Sequence, residues 1–227
     1  MPLKALIISL LFLCSYATAQ TSLLHRIGIG HNPVKRTYAE ISTVASYTST
    51  CWELEAGLNW QGNTYYGSSI QAFTLGALYN LPFSQPISVG IHYMYHPHNQ
   101  LLLSEQNLAL MATYMPQHLD VYIGSYIRHF TSKQFSNQSV SELGYLLYQL
   151  NVYVFPKNYI YNAMIGVRSY DTFEIEQAGN PMYVLQLSYR PSTIHYFLEG
   201  CVKPAGFYNI HVNPFHTQLR GGILWTL

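Results

Sequence analysis

Residues 119–130 read Leu119-Asp120-Val121-Tyr122-Ile123-Gly124-Ser125-Tyr126-Ile127-Arg128-His129-Phe130. Successive side chains on a strand point to opposite faces, so Leu119, Val121, Ile123 and Ile127 share one face and Asp120, Tyr122, Gly124, Tyr126 and Arg128 the other. One face is apolar and the other carries charge. A soluble β-sandwich alternates in the same way, so the choice between water and lipid rests on the rest of the chain.

The start of the chain points to export. Lys4 is followed by the apolar stretch Ala5 to Cys14, which closes on Ala17-Thr18-Ala19 before Gln20. A basic start, an apolar middle and a small-x-small site predict a signal peptide over 1–19, cut after Ala19. The apolar part is shorter than the roughly 20 residues of a spanning helix, and Leu13 before Cys14 does not fit a lipoprotein signal. The remaining 20–227 are expected to form one domain.

Charged residues are only 9% of the chain and aromatics 15%, with 21 Tyr. Soluble domains carry about 25% charged residues to keep their surface wet, so this chain is expected to face something other than water. The net charge of +1 offers no basic patch for nucleic acid. No mature segment approaches 18 consecutive apolar residues, which excludes a helical membrane protein. The remaining spanning structure is a closed barrel, because in lipid every backbone N–H and C=O must be paired internally.

Strands are expected near 22–30, 36–48, 51–61, 67–80, 86–96, 104–115, 119–131, 141–155, 158–168, 181–190, 192–202 and 215–227. Their links alternate in length. Thr48 to Thr50, Leu81 to Gln85, Pro116 to His118, Pro156-Lys157 and Pro191 are short; Gly30 to Arg36, Gly62 to Gly67, Pro97 to Leu103, Ser132 to Val140, Tyr170 to Asn180 and Lys203 to Asn213 are longer and polar. Short periplasmic turns, longer outside loops and an even strand number are the pattern of outer-membrane barrels. The fold class expected is therefore all-β, an antiparallel up-and-down transmembrane barrel of about 12 strands in a Gram-negative outer membrane, monomeric and surrounded by lipid.

One phase puts apolar residues outward and charges inward. Trp52, Leu54, Ala56, Leu58 and Trp60 oppose Glu53, Glu55, Gly57 and Asn59; Ile87, Val89, Ile91, Tyr93 and Tyr95 oppose Ser88, Gly90, His92, Met94 and His96. Outward aromatics fall near strand ends, where amphipathic rings suit the membrane interfaces. The last ten residues, Gln218 to Leu227, put Leu219, Ile223, Trp225 and Leu227 on one face. This segment resembles the C-terminal strand of bacterial outer-membrane barrel proteins, although Leu227 stands where Phe is commonest. The resemblance implies recognition by the barrel-assembly machinery.

The inward charges expected to line the lumen are Arg26, Glu40, Glu53, Glu55, Glu105, Asp120, Arg128, Glu142, Arg168, Arg190, Glu199 and Arg220. Such a set either pairs into a structural network or lines a water-filled path, and 12 strands lie between filled and open barrels. The function expected is a narrow pore or passive envelope protein for a small polar solute. The competing class is a binding or assembly module that acts through the loops Ser132 to Val140 and Lys203 to Asn213.

Rim histidines His92, His96 and His98 suggest two further chemistries. His96-Pro97-His98-Asn99 is similar to the His-x-Ser-Asn motif of outer-membrane phospholipases and lipid A deacylases. That match makes His96 the base but puts His98 where a serine nucleophile is needed, and nothing fixes Ser104 against His96. As metal ligands, His92 and His96 would sit roughly 13 Å apart along a strand, too far for one ion. No catalytic residue, metal or cofactor is assigned. Cys51 and Cys201 belong at opposite barrel ends, beyond the roughly 4.4–6.8 Å Cα separation of a disulfide, and are expected as free thiols. Finally, Val212-Asn213-Pro214-Phe215-His216-Thr217-Gln218-Leu219 resembles the closing segment of TraO-type proteins of Bacteroidetes conjugative elements, which implies a role in DNA transfer between cells.

Overall fold

The structure is a computed structural model that describes residues 19–32, 36–63, 67–83, 85–97, 103–132, 139–175, 181–204 and 216–227. The expected signal peptide lies outside these residues, apart from Ala19. Twelve strands form a closed antiparallel barrel: β1 (Gln20–Asn32), β2 (Arg36–Thr48), β3 (Trp52–Asn63), β4 (Gly67–Asn80), β5 (Ile87–His96), β6 (Leu103–Tyr114), β7 (Leu119–Ser132), β8 (Ser139–Tyr153), β9 (Tyr161–Arg168), β12 (Met182–Tyr189), β13 (Ile194–Lys203) and β14 (His216–Thr226). Each neighbours the next in sequence, and β14 pairs back with β1 to close the wall. Between β9 and β12, the strands β10 (Tyr170–Asp171) and β11 (Glu174–Ile175) make a separate two-stranded hairpin.

Closure leaves no sheet edge, which is what a bilayer demands. The period-2 reading of β7 holds: Ile123 is 57% and Ile127 44% exposed, whereas Asp120 and Tyr126 are buried. The same phase runs round the barrel, with Ile27, Leu58, Ile91, Leu110, Ile165, Leu185 and Leu219 all outward. Two bulges adjust it. One extra residue falls in β4 opposite Asn59/Trp60, and another in β8 opposite Tyr126/Ile127. The second shifts parity along β8, so Glu142 pairs Arg128 in register while Leu147 and Asn151 are buried further down.

Aromatics ring the short-turn end of the wall. Tyr161 stacks on Tyr189 at 4.9 Å and Tyr189 on Tyr196 at 6.3 Å, while Trp52 meets Tyr79 at 4.9 Å. Exposed Trp225 adds to this belt.

Three expectations are corrected. β9 begins at Tyr161, because the turn from Val154 is longer than Pro156-Lys157: Asn162 accepts from the Phe155 N–H at 3.1 Å and donates to the Phe155 and Pro156 carbonyls at 2.9 and 3.1 Å. The first half of the supposed outside loop Tyr170 to Asn180 folds into the barrel. Cys201 is a free buried thiol as expected, whereas Cys51 is disulfide-bonded in the full chain.

Candidate functional site: an inward hairpin and its arginine cradle

The chain leaves the wall at Ser169, which is fully buried. Its N–H donates to the Tyr148 carbonyl at 2.9 Å, and its Oγ accepts from the Tyr148 N–H at 3.0 Å. From there β10 and β11 turn into the lumen. Tyr170 and Ile175 pack into an apolar cluster with Met94, Ala109, Met111, Tyr126 and Leu147. Phe173 packs with Val44 and Ala72, and its ring fills the space that Gly57 leaves: a Cβ there would meet Phe173 at 2.9 Å and Thr74 Oγ1 at 2.6 Å. The hairpin backbone is tied to β5 and β7, which flank β6 on one side of the barrel. His96 Nε2 donates to the Phe173 carbonyl at 2.8 Å, and Arg128 donates to that of Ile175 at 2.9 Å.

Asp171 is the hairpin's electrostatic anchor. Its carboxylate lies 3.5 Å from Arg26 on β1, 3.2 Å from Arg168 on β9 and 2.6 Å from Arg220 on β14. Glu199 on β13 shares two of them, Arg168 at 3.1 Å and Arg220 at 2.5 Å, and Glu40 approaches Arg220 at 4.0 Å. Arg26 also stacks over the Phe173 ring, 5.2 Å from its centroid. Three guanidiniums and three carboxylates thus balance in a dry environment where an uncompensated charge would be costly. Asp171 sits on the hairpin, which does not itself cross the bilayer. Burial acts to raise its pKa, but Arg168, Arg220 and Arg26 outweigh burial and hold the carboxyl well below the usual carboxylate range.

The hairpin separates two cavities, and Asp171 lines both. The one toward the long-loop end is about 230 Å³ and includes Glu40, Asn59, Gln61, Arg128, Gln218 and Arg220 in its lining. The one toward the short-turn end is about 190 Å³ and includes Glu53, Glu55, His92, Tyr122, Gln149 and Arg168.

The predicted lumen charges sort by this division. Arg26, Glu40, Arg168, Glu199 and Arg220 meet in the network around Asp171. Arg128 and Glu105 pair at 3.0 Å above it, and Glu142 stands across from Arg128 in the ladder. Below it, Glu55 lies 3.1 Å from buried His92, with Glu53 two residues away on the same face. Asp120 pairs with Lys157 of the long turn and accepts from the Tyr153 hydroxyl at 2.6 Å. Arg190 falls one residue past β12, at the short-turn rim.

Because His96 Nε2 carries the proton that it gives to Phe173, it has no lone pair there for a base, and His98 lies outside the described residues. Sequence reading missed Asp171, Phe173 and buried Lys203. The available signal was Phe173 and Ile175 themselves, apolar side chains in a segment assigned to solvent.

No protein-family model and no curated protein sequence matches the chain. Among solved structures it is similar to the KdgM porin in complex with disordered oligogalacturonate, at 11% identity and TM-score 0.54, over 90% of this chain and 98% of that one. It is likewise similar to the COG4313 outer membrane channel from Pseudomonas putida F1, at 9% identity and TM-score 0.54, over 93% and 96%. The fold is that of bacterial outer-membrane β-barrel proteins.

Proposed function

We propose that the protein, exported by the signal peptide at 1–19, is a narrow passive pore of the Gram-negative outer membrane, monomeric and without catalysis. The observation that carries this reading is the pair of polar cavities stacked end to end inside a closed barrel, meeting at the Asp171 hairpin. A purely structural barrel gains nothing from open cavities lined by polar groups, whereas a small polar solute needs such groups to replace its water. Channel names attach to both solved structures quoted above, and KdgM holds an oligogalacturonate; a small polar solute is the corresponding cargo here. Insertion proceeds through the barrel-assembly machinery, which reads the C-terminal segment, with Leu219, Ile223 and Trp225 of β14 and the following Leu227 exposed.

Purified protein in planar bilayers is expected to show small discrete conductance steps. Silence under all voltages, from protein whose heat-modifiable migration proves it folded, would overturn the pore. The loop-binding alternative places its contacts at Ser132 to Val140 and Lys203 to Asn213, and the TraO-like stretch begins at Val212; most of these residues lie outside the described ones.

A further inference from the structure

The larger cavity contains two side chains that the electrostatic network does not use. Asn59 on β3 and Gln218 on β14 are each 6% exposed and both line it. Neither amide takes part in the ion-pair network around Asp171, and neither is among the buried polar atoms shut away without a partner, so both face the cavity. Buried amides are ordinarily bonded, and leaving one unmade costs about 1–3 kcal/mol. These two therefore bond to whatever fills the cavity.

The charged groups in the same lining are already engaged. Arg128 pairs with Glu105 at 3.0 Å, and Arg220 with Asp171 at 2.6 Å and Glu199 at 2.5 Å. A charged solute would have to break one of these pairs to find a counter-ion. A hydroxyl would not, because it both donates and accepts, and an amide offers one group of each kind. The cavity's 230 Å³ corresponds to on the order of seven waters at about 30 Å³ each, the space of one compact solute.

We propose that this cavity binds a single small uncharged polyhydroxylated solute, of monosaccharide size, through the amides of Asn59 and Gln218. The inference rests on the pore reading and specifies its cargo.

The test is calorimetric titration of glucose into the full-length protein folded in a non-glycosidic detergent, alongside glucose addition to single channels in planar bilayers. Saturable heat is expected, together with glucose-dependent interruptions of current; glucuronate and glycine should bind more weakly. Asn59→Leu should weaken glucose by about tenfold or more, as expected for losing one or two hydrogen bonds. Gln218→Met, which keeps the chain length but has no amide, gives a second reading if the first variant fails to show heat-modifiable migration. Absence of saturable heat, unchanged affinity in folded variants, or tighter binding of glucuronate than of glucose would overturn the proposal. A silent bilayer with saturable glucose binding would break the pore reading alone; conducting channels that ignore glucose would break this one alone.

Discussion

Strand β7 and the hairpin Tyr170–Ile175 are opposite kinds of structure inside one barrel. In β7 each residue's surroundings follow from its neighbours: odd positions meet lipid, even positions meet the lumen, and a slip by one would invert every side chain. In the hairpin nothing local decides. Its position depends on Arg26, Arg168 and Arg220, which lie more than a hundred residues apart at the extremes and converge only when the barrel closes. The wall is specified by period and the hairpin by partners.

That difference is open to experiment. The largest effect is expected from replacing 170–175 with a Gly/Ser linker: the wall should still show heat-modifiable migration, while conductance rises several-fold. A barrel that no longer folds would mean that the hairpin is part of the wall's own stability. Next, Asp171→Asn leaves three buried guanidiniums short of one carboxylate, an imbalance worth about 3–5 kcal/mol; urea unfolding should register it, and current noise should grow as the hairpin loosens. On the wall, Ile123→Arg puts a charge at mid-strand against lipid and should cost about 2–4 kcal/mol without altering conductance. Gly57→Val acts at the contact between the two regions. Its new carbons displace the Phe173 ring and should cost about 1–3 kcal/mol, with a modest rise in conductance.

The smallest effect concerns pH. Asp171 is held below the usual carboxylate range, so its contribution is present at neutral pH, persists as pH falls through that range, and is lost only below it. The urea-unfolding difference between the wild type and Asp171→Asn should stay level between about pH 8 and 5, and a step within that window would show that the anchor titrates.

The same contrast marks what could be read from residues alone. Ten to fourteen alternating residues at a time, as in β3 or β7, suffice to place a strand and its faces, which is why the strand number and nearly all wall positions were legible. Parity across the β8 bulge was less secure, because one inserted residue exchanges inside and outside. The arginines and glutamates were recognisable as inward, yet their common partner Asp171 was not. A six-residue segment is too short to show a period, and its long-range ion pairs leave no mark on neighbouring sequence.

Arg26 and Arg220 belong to β1 and β14, the first and last strands, whose pairing closes the cylinder. Asp171 bonds to both from within. Without it, the seam would bring two cations onto adjacent strands with Glu199 and Glu40 as their nearest counter-charges. The hairpin is therefore a clasp across the seam between the first and last strands. Asp171→Asn is accordingly expected to slow the appearance of the compact, heat-modifiable form even where its final yield is reached.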